Sequence, residues 1–142
     1  VLNLFTSFGY FNDDTDNQKV LNAVAQNLKP KGTFVLDFLN SCLVVKELIP
    51  YEGKTIEGIT FKISKTFDNH VIVKRIEFSD KGKDYKYEER VTAFSLADLE
   101  ELFSTSNLKI KHVFGDYNLQ AFNEETSDRL IIVAENGGNS IR

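Results

Sequence analysis

The sequence contains no methionine and no tryptophan, and only one cysteine and two prolines among its 142 residues. The single cysteine, Cys42, has no partner for an intramolecular disulfide, which favours a reducing compartment and a cytoplasmic location. No run of about 18 apolar residues occurs, so no membrane span is expected. A signal-peptide pattern is also missing. The net charge of −4 and the pI near 5.2 give no reason to expect a nucleic-acid partner.

The lack of methionine extends to position 1, where the chain opens directly on the apolar residues 1–5. Such a run is typical of a buried strand, and a natural protein rarely begins inside its own core. We therefore expect the sequence to be a fragment of a longer protein. The alternative is that the initiating residue was removed and that an edge strand comes first.

The composition that remains is ordinary for a globular domain, with 42% apolar and 27% charged residues and with twelve Phe and five Tyr. A chain of this length can bury a core of its own. We expect one domain over residues 1–135, followed by a flexible polar tail over residues 136–142.

The first forty residues predict a strand, a helix and a second strand. Residues 1–5 are a continuous apolar run, and residues 16–28 place their apolar side chains at helical spacing. Residues 33–38 form the second apolar run. This order predicts a βαβ unit with parallel strands.

The apolar period then changes from helical spacing to strict alternation. Residues 58–94 predict a three-stranded antiparallel meander with one wet face. Ser95 and Asp98 are spaced as a capping box at the start of a further helix. Residues 108–114 and 130–134 predict the last two strands. The expected fold class is α/β, an open sheet that carries an antiparallel insertion.

Two short motifs connect this pattern to a known family. Leu28-Lys29-Pro30-Lys31-Gly32 separates the predicted helix from the second strand, and residues 7–11 read Ser-Phe-Gly-Tyr-Phe. Residues 1–40 resemble the middle of class I S-adenosylmethionine-dependent methyltransferases, in which this turn reads Leu-Lys-Pro-Gly-Gly. Lys31 replaces the first of its two glycines. Residues 7–11 resemble the active-site loop of a subgroup that acts on small amines and sugar amines.

The resemblance continues through the later parts of the chain. The start of the family's helix before strand six resembles Ser95-Leu96-Ala97-Asp98-Leu99, and the end of its fold resembles Gly115-Asp116-Tyr117 and residues 129–134. It implies a partial Rossmann-like class I methyltransferase sheet, strands four to seven, with the meander inserted. The family's Gly-rich cofactor loop does not occur here. The resemblance therefore implies that the main cofactor-binding half lies upstream of this chain.

The function that the resemblance implies is methyl transfer from S-adenosylmethionine (AdoMet) to a small-molecule acceptor, at an amine nitrogen in preference to an oxygen. The 142 residues alone are then expected to be inactive. An alternative is a non-catalytic dimerisation or ligand-binding module derived from the same fold. A nucleotide-binding protein of another chemistry, such as a dehydrogenase, is disfavoured by the Leu-Lys-Pro-Lys-Gly turn and by the antiparallel insertion.

The candidate site residues in the two loops after the first two strands follow from the expected edge of the sheet, since ligands of open α/β sheets bind beyond the carboxyl ends of the strands. Aromatic rings suit a sulfonium because their faces attract cations. The candidates are Tyr10 and Ser7 as catalytic residues, Leu4, Phe5, Thr6 and Phe8 as cofactor contacts, and Asp37 and Asn40 as acceptor contacts. The resemblance adds Arg90 and Tyr117 as acceptor contacts, because they match positions near the acceptor side in similar enzymes. The alternative reading is that Phe8 fills the core, Asn40 caps a short helix, Arg90 is a surface charge and Tyr117 is a packed aromatic.

No metal site is expected, because the acidic residues near Asp13 lack the glycine and the distal glutamate of a calcium loop. His70 and His112 are not placed as a ligand pair. Two surfaces are candidates for a homodimer contact, namely the antiparallel meander and the exposed side of the first strand.

Overall fold

The computed structural model describes residues 1–11 and 13–138. Within these ranges the elements are β1 (Leu2–Asn3), α1 (Asp14–Asn27), β2 (Thr33–Leu39), α2 (Ser41–Lys46), β3 (Tyr51–Ile56), β4 (Ile59–Asp68), β5 (Val71–Asp80), β6 (Lys83–Thr92), α3 (Leu96–Thr105), β7 (Leu108–Phe114) and β8 (Arg129–Asn136). Part of the segment for which a flexible tail was predicted is described. Asn136 ends β8, and the Gly137 N–H donates to Asn107 O at 2.9 Å. Residues 139–142 lie outside the described residues.

The first sheet has the strand order β1-β2-β8-β7. β1 runs parallel to β2, which confirms the predicted parallel pairing. β8 is antiparallel to both of its neighbours. In the pairing of β2 with β8, Asp37 lies opposite Ile131 and Leu39 lies opposite Arg129. This register brings the carboxyl end of β2 beside the start of β8.

The prediction of a buried strand over residues 1–5 is wrong in two respects. The strand is shorter, Leu2–Asn3, and Val1 and Leu2 are 51% and 67% exposed. β1 is the edge of its sheet and pairs with β2 on one side. The apolar run therefore indicated a strand correctly. Burial of that strand needs a second neighbouring strand, which the described residues do not supply.

The antiparallel insertion has four strands in the order β3-β4-β5-β6, so the predicted count of three is wrong. The missed strand is β3, whose residues are mostly exposed and show no apolar alternation. It forms by pairing its backbone with β4 across the turn at Glu57 and Gly58. Both residues have positive φ, 51° and 81°, as two-residue hairpin turns of this hand require.

The core lies between the first sheet and helices α1 and α3. Phe34, Leu36 and Phe38 of β2 are fully buried. Phe34 stacks on Phe103 of α3, with the ring centroids 5.7 Å apart. The predicted cap of α3 is confirmed, since Ser95 and Asp98 form a reciprocal capping box. Alternate residues of β2 thus pack the sheet against the core. Polar residues lie near the carboxyl end of β2.

Candidate functional site

The most buried ionisable side chain among the core residues is Asp37, two residues before the end of β2 and 1% exposed. Its Oδ1 accepts a hydrogen bond from Arg129 Nε at 2.9 Å. Its Oδ2 accepts from the Tyr117 hydroxyl at 2.8 Å and from the Phe5 N–H at 3.0 Å. A carboxylate that is buried away from water requires hydrogen-bond partners of this kind to replace its hydration. The predicted acceptor contacts Asp37 and Tyr117 are therefore brought together.

Arg129, which sequence reasoning did not single out, completes this cluster. Its side chain is 22% exposed, and Nη2 donates to Thr6 Oγ1 at 2.8 Å. The guanidinium carbon also lies 6.0 Å from the centroid of the Tyr117 ring. Arg129 and Asp37 are 92 residues apart in the chain. No local pattern could have paired them, since the contact depends on β8 lying next to β2.

The loop over residues 5–7 leaves the first strand and passes directly over Asp37. The Thr6 N–H donates to the backbone oxygen of Asp37 at 2.9 Å. Phe5 and Thr6 both have left-handed backbones, with φ of 58° and 54°. The Phe5 side chain is 77% exposed and Leu4 is 36% exposed. The Ser7 hydroxyl turns back into the loop and donates to Leu4 O at 2.8 Å.

Phe8 and Gly9 anchor the next part of the loop between the two sheets. Phe8 is 2% exposed and packs against Phe94, with the ring centroids 5.6 Å apart. Gly9 has φ of 89°, and its oxygen accepts from the Thr92 N–H at 2.8 Å. The core-filling alternative thus describes the observed place of Phe8. It leaves this ring almost no surface for a ligand.

Tyr10 projects from the anchored loop and is 48% exposed. Partial burial, and then the negative charge of Glu89, raise the pKa of the Tyr10 hydroxyl above its usual value. The side chain is therefore a neutral phenol at physiological pH. It can donate or accept a hydrogen bond, but it does not act as a phenolate base.

Asn40 and Arg90 do not join the Asp37 cluster. Asn40 is 2% exposed, and its Nδ2 donates to Glu124 O and Ser127 O, both at 2.9 Å. It therefore holds the loop that precedes β8. Arg90 bonds Glu88 Oε1 at 2.9 Å and lines a separate cavity of about 480 Å³ beside Gly9.

Tyr117 reaches Asp37 from an exposed segment, since 61% of the residue is accessible. The hydrogen bond to the Asp37 carboxylate is the main cause that raises the pKa of Tyr117, followed by desolvation, and Arg129 opposes both. Tyr117 is therefore held as a hydrogen-bond donor. The cluster consists of one buried carboxylate, one guanidinium and one neutral phenol.

We expect the phenol of Tyr117 to ionise at a higher pH than an ordinary tyrosine, and Asp37→Asn to lower that pKa by removing the negative charge. The pKa is raised in the folded state, so the contribution to stability is fully present below the unfolded pKa of about 10. It is lost as the pH rises through the folded pKa. The change in absorbance near 295 nm measures the titration, and subtracting the Tyr117→Phe curve isolates this residue. A Tyr117 titration at or below the ordinary value would contradict the hydrogen bond.

Within residues 1–11 and 13–138, no group of three or more His, Cys, Asp or Glu side chains is placed to hold a metal ion. None of the helices in those ranges combines the length and the apolar character that a membrane crossing needs.

Solved structures share this architecture. An S-adenosylmethionine-dependent methyltransferase from Clostridium acetobutylicum matches 96% of the chain with a TM-score of 0.84 at 20% identity. The CcbJ methyltransferase from Streptomyces caelestis matches 96% with a TM-score of 0.80 at 15% identity. The sugar N-methyltransferase KedS8 from Streptoalloteichus sp. matches 95% with a TM-score of 0.69 at 14% identity.

The chain therefore has the fold of S-adenosylmethionine-dependent methyltransferases, which confirms the predicted resemblance at the level of the fold. It spans 57%, 59% and 54% of the length of these three structures. No protein-family model matches the sequence, and no curated protein is significantly similar to it.

Proposed function

We propose that this chain is part of an enzyme that transfers a methyl group from AdoMet to a small-molecule acceptor, and that the methylated atom is an amine nitrogen. The observation that carries the proposal is the Asp37 cluster. It lies at the carboxyl end of β2 and directly beneath the loop that follows β1. In open α/β sheets this edge is where ligands bind.

Methyl transfer from a sulfonium is a direct displacement. It requires an aligned acceptor and the exclusion of water more than it requires an acid and a base. Tyr10, as a neutral phenol, would orient the acceptor nitrogen, and Ser7 would lie beside it. The exposed Phe5 ring offers a face that attracts the positive sulfur. Leu4 and Thr6 would complete this wall of the cofactor pocket, and Phe8 would support it from the core.

The acceptor side of the proposed site is polar but close to neutral at its base, because the Asp37 carboxylate is paired with the Arg129 guanidinium. Asp37 supplies a carboxylate and Tyr117 supplies a hydroxyl that points at it. The Tyr117 oxygen keeps lone pairs that can accept a hydrogen bond from the N–H of a neutral amine, whose own lone pair stays free to attack the methyl group. Arg90 borders the neighbouring cavity and would contact a larger acceptor at its far end. Asn40 would act on the acceptor indirectly, by holding the loop before β8.

The cofactor is expected to be held mainly by residues outside this chain. The sequence has no Gly-x-Gly pattern, whereas the resembling family grips AdoMet with a Gly-rich loop after its first strand. The chain also spans little more than half of each similar structure. We place the remaining half upstream of Val1 and the whole protein in the cytoplasm.

Calorimetric titration with AdoMet tests this division. The 142-residue chain alone is expected to bind weakly or not at all, and the protein that includes the upstream segment is expected to bind at micromolar concentration. Micromolar binding by the 142 residues would contradict the assignment of the cofactor half. Absence of binding by both would contradict the methyltransferase proposal itself.

The second candidate function is a non-catalytic dimerisation or ligand-binding module, and the insertion sheet favours it. One face of this sheet carries the rings of Phe61, Phe78 and Tyr85, with successive centroids 4.8 and 4.9 Å apart. Tyr87 on the same face is 57% exposed. Apolar faces of this kind often bind a protein partner. A second copy on this face, or on the β1 edge, would give a dimer by light scattering, whereas a monomer at high concentration would rule out a dimerisation module.

A further inference from the structure

Arg129 contacts two parts of the proposed site that come from distant parts of the chain. Its Nε donates to Asp37 Oδ1 at 2.9 Å and its Nη2 donates to Thr6 Oγ1 at 2.8 Å. A guanidinium presents its donors in one rigid plane. The two bonds therefore set the position of the Thr6 hydroxyl relative to the Asp37 carboxylate.

The segment that Arg129 reaches has a strained backbone. Phe5 and Thr6 have φ of 58° and 54°, a left-handed region that residues with a Cβ atom avoid. A β-branched residue such as threonine avoids it most. Two consecutive residues in this region persist only where their surroundings hold them, and strain of this kind gathers at ligand sites.

Three hydrogen bonds hold this left-handed turn, and each leads to the Asp37–Arg129 pair. The Phe5 N–H donates to Asp37 Oδ2 at 3.0 Å, and the Thr6 N–H donates to Asp37 O at 2.9 Å. The third bond joins Thr6 Oγ1 to Arg129. Two of the three bonds thus use the charged side chains of Asp37 and Arg129, and the third uses the backbone of Asp37.

A role limited to joining the strands explains the pair less well. β2 and β8 already pair over seven residues, from Thr33 opposite Glu135 to Leu39 opposite Arg129. The inner side chains of both strands are buried in the core. A largely buried ion pair adds little net stability beyond such packing. The specific contribution of Arg129 is its second contact, to Thr6.

We propose that Arg129 is a positioning residue, which holds the left-handed turn at Phe5 and Thr6. When the turn is held in this conformation, it sets the positions from which the Phe5 ring and the Ser7 hydroxyl contact the cofactor and the acceptor. The hydrogen bonds between Arg129 and the turn do not depend on the proposed function, whereas the effect of the turn on catalysis rests on it.

A fluorescent reporter on the turn tests this inference in the 142-residue chain. The chain has no tryptophan, and Phe5 is 77% exposed, so Phe5→Trp introduces a single indole without disturbing the core. In this background, Arg129→Ala and Thr6→Val are expected to lower the anisotropy of the indole and to increase its quenching by acrylamide. Thr6→Val keeps the shape of the side chain and removes only the acceptor oxygen.

Two matched variants control for general loosening. Thr6→Ser retains the Oγ acceptor and is expected to retain most of the anisotropy. Arg75→Ala removes a half-exposed arginine from its contact with Glu88 and is expected to leave the anisotropy unchanged. If circular dichroism shows that Arg129→Ala does not fold, the comparison of Thr6→Val with Thr6→Ser decides whether the bond to Arg129 holds the turn. Unchanged anisotropy in a folded Arg129→Ala chain, or in Thr6→Val, would overturn the inference.

Turnover then separates this inference from the proposed function. In the protein with its upstream segment, Thr6→Val is expected to lower kcat/KM about tenfold. This is less than the roughly 100-fold loss for a misplacement of about 1 Å, because the backbone bonds of the turn to Asp37 remain. Thr6→Ser is expected to restore most of the loss. A looser turn with unchanged kcat/KM would overturn the positioning role. A parent protein that transfers no methyl group would count against the proposed function, while the anisotropy result would still decide the role of Arg129 in the turn.

Discussion

Asp37→Ala is expected to lower the free energy of unfolding by about 3 kcal/mol, since removing one partner of a buried ion pair strands the other. The substitution leaves the Arg129 guanidinium, the Phe5 N–H and the Tyr117 hydroxyl without their shared acceptor. We expect the lower end of the range of 3–5 kcal/mol because the Arg129 side chain keeps 22% of its exposure to water. Urea denaturation followed by circular dichroism measures the change.

Two variants calibrate this result. Asp37→Asn keeps the volume and one acceptor oxygen, so its cost is expected to be smaller, about 1–3 kcal/mol. Glu88→Ala removes a carboxylate that also bonds two arginines, but on the half-exposed face of the insertion sheet. Exposed ion pairs contribute little to stability. A loss for Asp37→Ala no larger than that for Glu88→Ala would show that the Asp37 cluster does not hold the fold as described.

The second large effect is expected on turnover. In the longer methyltransferase proposed above, Tyr10→Ala should lower kcat about 100-fold, which is the scale of loss when a reacting group is misplaced by about 1 Å. The fold should be retained, because Tyr10 is 48% exposed and the loop is anchored by its neighbours Phe8 and Gly9. Single-turnover kinetics with radiolabelled AdoMet measure the rate of methyl transfer.

Tyr10→Phe separates the contribution of the hydroxyl from that of the ring. If the neutral hydroxyl orients the amine, Tyr10→Phe should lose most of the activity that Tyr10→Ala loses. Tyr51→Ala is the matched control, since Tyr51 is 82% exposed on the insertion sheet and lies outside the proposed site. Unchanged turnover in Tyr10→Ala would remove this residue from the site.

Several elements were predictable because their signals are local. The strand over residues 108–114 was predicted with the bounds that the structure shows, Leu108–Phe114. The cap of α3 was readable from Ser95 and Asp98, whose side chains bond backbone groups three residues away. Such bonds form within one turn of the chain, so the residue types and their spacing are sufficient to predict them.

Other features were not predictable because they depend on neighbours. β3 has no apolar alternation and exists through its pairing with β4. The first strand has the composition of a core strand, yet it lies exposed at the edge of its sheet. Phe8, predicted as a cofactor contact, lies in the core because Phe38 and Phe94 close around it.

The candidate site divides in the same way. From the sequence, Asp37 was a candidate because a polar residue ends a buried strand, and Tyr117 was a candidate through the family resemblance. The tertiary structure alone decided that these two side chains meet and that Arg129 and Thr6 join them. The physical reason is the strand order, which places β8 against β2 and brings residues 80 and 92 positions away to one carboxylate.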